Sequence, residues 1–98
     1  MLTSSVIPQT IEKEAVVGLK FPTEDVLAED DAKARRAKQL LKAMSLGNLN
    51  KFKVKIAFED DQNIKSIYTT IWAITEKNLV LKAGMTVPRH RVHSVEFV

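Results

Sequence analysis

The stretch KFKVKIAFEDDQNIKSIYTTIWAIT, residues 51–75, decides the fold. In its first limb Phe52, Val54, Ile56 and Phe58 alternate with Lys51, Lys53 and Lys55. That period of two predicts a half-buried strand whose outer face carries lysines. EDDQN is a polar turn. The second limb, IKSIYTTIWAIT, is apolar on both faces, with Ile67, Ile71 and Ala73 against Tyr68, Trp72 and Ile74. Such a strand is buried on both sides or bends so that its faces exchange roles. Downstream, TEKN reads as a tight turn with Asn78 suited to a positive φ. LVLK is a third strand ended by AG, MTV a fourth halted by Pro88, and RVHSVEFV a fifth.

Upstream the period is helical. EDDAKARRAKQLLKAMSLGN begins with acids, which suit a cap and the positive end of a helix dipole. Gly47 stands where a left-handed C-terminal cap favours glycine. At 100° per residue, Ala34, Ala37, Leu40, Leu41 and Met44 share one arc, and Arg35, Lys38 and Lys42 share another. The pattern predicts an amphipathic helix of about four turns with a basic stripe.

The expected fold is mostly β with one N-terminal helix: a small, closed five-stranded barrel preceded by an acidic arm. The arm covers residues 1–30, and helix plus barrel cover residues 31–98. Within the arm, EAVVGLKF reads as one short strand, broken or bulged at Gly18. At 98 residues and 45% hydrophobic content, one small domain is expected rather than a disordered chain. With no cysteine, disulfides and thiolate metal sites are excluded, leaving self-association as the common support for so small a core. No apolar run approaches a membrane span, and MLTSSVIPQTIEKE lacks the form of a secretory leader, so a cytoplasmic location is expected.

Charge is divided along the chain. Residues 1–31 hold seven acids and two lysines, a net of −5, whereas residues 32–98 hold thirteen bases and five acids, a net of +8. Residues 32–58 carry eight bases and no acid. Solvation alone usually mixes glutamates into such a face, so the run points to an anionic partner. The expected phosphate-tracking residues are Arg35, Lys38 and Lys42 on the helix with Lys51, Lys53 and Lys55 on the first strand.

The helix running into five short strands is similar to the Sm-like family, and in particular to its Hfq-like RNA-chaperone branch, over roughly residues 36–97. AITEKNLVLK resembles the family's second-to-third strand turn, and VPRHRVHSV resembles its fourth-to-fifth strand link. The resemblance implies a ring-forming homo-oligomer in which Arg89 and His90 contact RNA near a central opening. Val87 and Val92 match the flanking apolar positions, and Lys82 a lysine after the third strand. The chain departs from the family at Thr75, Glu76 and Lys77, where a base-stacking aromatic is missing, and at Pro88, which replaces a tyrosine.

Other chemistries are weakly supplied. His90 and His93 are two metal ligands at most, short of the three or four a stable site wants. Catalysis by His90 needs a nucleophile and an orienting carboxylate, but Ser94 and Glu96 alternate onto the face opposite His93. No enzymatic activity, cofactor or metal is therefore expected. The expected function is binding of RNA or single-stranded nucleic acid as a homo-oligomer. The alternative is a protein-interaction or scaffolding module, of unknown partner, whose barrel displays the acidic arm or uses it to pair with a partner's sheet edge.

Overall fold

The computed structural model describes residues 9–97. Among the described residues one α-helix, α1 (Asp30–Asn50), is accompanied by seven strands, β1 (Gln9–Thr10) before it and β2 (Val54–Glu59), β3 (Ile64–Thr69), β4 (Ile71–Ile74), β5 (Asn78–Leu81), β6 (Thr86–Pro88) and β7 (Val92–Phe97) after it. They form two open sheets, ordered β1-β3-β2-β7 and β4-β5-β6. This corrects the expectation of a closed five-stranded barrel. Among the described residues β6 pairs only with β5, and β7 only with β2. The chain between β6 and β7 turns through a 3-10 segment, Arg89–Arg91, instead of continuing a ladder. A 21-residue α-helix and three 3-10 segments make the chain roughly a third helical, so it is mixed α/β rather than mostly β.

The two-faced stretch bends as its composition requires. The ladder breaks at Thr70, and β3 and β4 fall into different sheets. Ile67 and Ile71 are both fully buried on either side of the break, while Tyr68 and Trp72 are both about half exposed. The register of β4 on β5 shifts between Ile71 and Ala73, which keeps Ile71 in the core. The alternation in β2 survives intact: Val54, Ile56 and Phe58 are buried and Lys55 is exposed.

Gly47 is not the helix cap. It is buried inside α1, which runs on to Asn50 and ends with Lys51 left-handed at φ 57°. The buried stripe is Leu40, Ala43 and Gly47, so Ala34 and Leu41, expected on the packed arc, are exposed instead. The stripe is rotated because α1 packs across β4 of one sheet and β7 of the other, and Gly47 brings its backbone against Ile71. Asn78 does not take a positive φ; Thr75 closes that turn by exchanging bonds with Asn78, its Oγ1 accepting from the Asn78 N–H at 2.9 Å.

From Gln9 on, the described part of the arm is built into the body. β1 extends β3 in parallel, with Thr10 opposite Ser66. EAVVGLKF does not form a strand: residues Lys13–Gly18 make a 3-10 segment touching β3 and β6. Val16 is 3% exposed within the core, and Leu19 and Phe21 pack beside it, with the Phe21 and Phe58 rings 5.9 Å apart.

Residues 20–27 are then tied down by polar bonds, many to backbone carbonyls. Asp61 N–H donates to Lys20 O, and Val26 N–H donates to His90 O, both at 2.9 Å. Arg91, 6% exposed, donates to the carbonyls of Glu24, Glu59 and Asp60. Asp25 receives two bonds from Arg36, each 2.8 Å, and Arg36 also reaches Val92 O. The Arg36 bonds hold the Asp25 carboxyl well below the carboxylate range, from 3.8 to about 2, against the opposing effect of burial.

A depressed carboxylate contributes stability above its unfolded pKa and loses it as pH falls through the folded one. Asp25→Asn should therefore lower stability by about 1–2 kcal/mol at pH 6, with the difference from wild type vanishing between pH 4 and pH 2. Urea unfolding at a series of pH values measures this. A gap that is constant with pH would contradict it.

Candidate nucleic-acid interface

All six bases expected from the helix and first strand are exposed: Arg35, Lys38, Lys42, Lys51, Lys53 and Lys55. None makes an ion pair with an acid among the described residues. The bases that are paired lie elsewhere, as Arg36 with Asp25 and Lys65 with Asp60. Burial pushes the Asp60 carboxyl up, but Lys65 and the N–H groups of Asn63 and Gln62 outweigh it and hold the group below its ordinary value.

Register places the lysines around one end of the β3–β2–β7 sheet. Lys55 stands opposite Tyr68 on β3 and Glu96 on β7, on the sheet's outer face. Lys53, two residues earlier, holds its Nζ 5.8 Å from the Tyr68 ring centroid. Val54 faces inward and stands opposite Phe97. Lys42 reaches from α1 to set its Nζ 4.9 Å from the Phe97 centroid. One and two turns back along α1 come Lys38 and Arg35, the latter beside His93 and Ser94 in a shallow groove. The structure thus joins the helix stripe to the strand lysines through two aromatic rings, with Glu96 the one acid in the row.

Arg89 and His90 do not join this band. Arg89 Nη1 donates to the carbonyls of Thr75 and Glu76, both at 3.1 Å, which fixes it over the β4–β5 turn. The His90 ring is 3.0 Å from Pro22 O, and since a carbonyl only accepts, Nε2 carries the proton and donates. Both residues line a cleft with Thr23, Arg36, Glu76 and Lys77. Their bonds tie the arm and a turn to the body.

His93, the second of the two histidines, lies 2.8 Å from Glu59 Oε1. The fold supplies that acid from β2, across the sheet. Among the described residues no group of three or more His, Asp or Glu side chains is placed to hold a metal ion. No described helix is long and apolar enough to cross a membrane.

Sequence patterning offers Tyr68 or Trp72 as a stacking ring and reads Phe97 as packing, whereas the structure sets lysines over Tyr68 and Phe97. Alternation from Ile67 already turns Tyr68 outward, but Phe97 needs the β2–β7 register, which no local pattern encodes. No family model, no curated protein and no solved structure matches the chain.

Proposed function

We propose that this chain is a non-enzymatic binder of RNA or single-stranded nucleic acid, working as a homo-oligomer. The single observation that carries the reading is that six bases on α1 and around the start of β2 are exposed and unpaired among the described residues, two of them set over exposed aromatic rings. Stability does not account for it, because unpaired like charges on neighbouring elements repel and would be relieved by acids. A polyanion relieves them and releases its own counterions in doing so.

Self-association is part of the reading because Val17 and Leu49, at 77% and 76% exposure, leave apolar surface that a second copy would cover. The partner-sheet alternative has less to rest on, since the arm already pairs with β3 and buries Val16 in its own core.

Replacing Lys38, Lys42, Lys51 and Lys53 together by glutamate should lower affinity for a twelve-nucleotide U-rich or A-rich oligonucleotide by at least about a hundredfold. The melting temperature should barely move, because all four side chains are exposed. Fluorescence anisotropy reads the first and circular dichroism the second. Unchanged affinity in a folded variant would refute the assignment.

A further inference from the structure

We propose, on the basis of the nucleic-acid reading above, that unpaired bases stack on Tyr68 and Phe97 by displacing Lys53 and Lys42, whose ammonium groups move onto the flanking phosphates. Each lysine Nζ sits over its ring, so each ring turns its face, not its edge, toward the exposed side. Tyr68 and Phe97 are 51% and 36% exposed, so part of each residue reaches solvent beside its lysine. An exposed cation–π contact is weaker than a base stacked on an aromatic ring, and the displaced ammonium gains a phosphate. The exchange therefore runs toward the stacked state.

Geometry selects the form of the strand. Tyr68 shares the outer face of the sheet with Lys55 and Glu96. Phe97 stands opposite inward-facing Val54, on the side where α1 lies. The two rings thus lie on opposite faces of one sheet end, with β2 between their strands. A single strand can turn round that end and offer a base to each ring. A duplex is stiff and keeps its bases paired inside, so it can offer neither.

The test compares the full chain binding a twelve-nucleotide thymidine strand, the same backbone without bases, and a twelve-base-pair duplex. The thymidine strand should bind about tenfold more tightly per engaged ring than the abasic strand, and more tightly than the duplex. Tyr68→Leu and Phe97→Leu should each remove about tenfold for the thymidine strand and nothing for the abasic one, while Tyr68→Phe keeps full affinity. Equal binding of thymidine and abasic strands, or leucine variants with unchanged affinity, overturns stacking. If the glutamate variant still loses binding in that case, the phosphate-tracking reading survives and only the stacking falls. Absence of binding to any of the three overturns both.

Discussion

A chain truncated before Asp30 is expected to lose most of its folding stability. The sequence reads as an acidic arm ahead of a helix and strands, and in the structure residues of that arm insert Val16 into the core and lay Leu19 and Phe21 against it. Full burial of one such side chain is worth about 1.5–3 kcal/mol. With Val16 buried and the other two partly so, truncation removes about 4–6 kcal/mol, before the polar bonds are counted. Those bonds add to the loss, because Arg91 would be left buried with no Glu24 carbonyl and Arg36 with no Asp25. A small domain holds only about 5–15 kcal/mol in total. The melting temperature should fall by at least about 15 °C, or no cooperative transition should remain. A truncated chain melting within about 3 °C of the full one would show that the arm is dispensable.

Gly47→Ala should destabilise the protein by about 2 kcal/mol, although alanine is the better helix former by about 1 kcal/mol. The sign is decided by what the new methyl meets. A Cβ on Gly47 would lie 2.6 Å from Ile71 O and 2.9 Å from Thr70 Cγ2. The first of these is backbone, held in place by the pairing of Ile71 with Leu81 and by the bond from Lys82 N–H to Thr70 O at 3.0 Å. Neither helix nor strand can yield without opening Leu40 and Ala43 from the core. The melting temperature should drop by about 10 °C, and Gly47→Val should cost more. An alanine variant as stable as wild type would mean that the helix and β4 do not approach this closely.

Much of the fold follows from local pattern, and the misses share one cause. Alternation around Val54, Ile56 and Phe58 specifies β2, the two-faced composition of residues 64–75 specifies a bend, and Pro88 ends β6 as its missing donor requires. Whether the strands close into one barrel is not local, because it depends on β6 and β7 meeting, and a 3-10 turn between them parts the ladders. The arm misled for a related reason. EAVVGLKF has strand-like composition, but one buried valine and a short 3-10 segment suffice to seat it. Gly47 looked like a cap because a glycine near a helix end is usually one, whereas here its lack of a side chain serves close packing.

The candidate site divides in the same way. The helix and strand lysines were legible because exposure follows from amphipathic spacing. The cluster RHRVH at residues 89–93 invited a binding role, yet much of its work is to hold backbone carbonyls of residues 22–24 and 59–60 and of the β4–β5 turn. Carbonyl acceptors belong to every residue, so sequence carries no mark of which ones a buried arginine will find.

The most direct test of nucleic-acid binding is the affinity of the intact chain for a twelve-nucleotide single strand as salt rises from about 50 to about 300 mM. With six bases on phosphates, log affinity should fall against log salt with a slope of about −4. A slope near zero, or no binding at the lowest salt, would contradict the account.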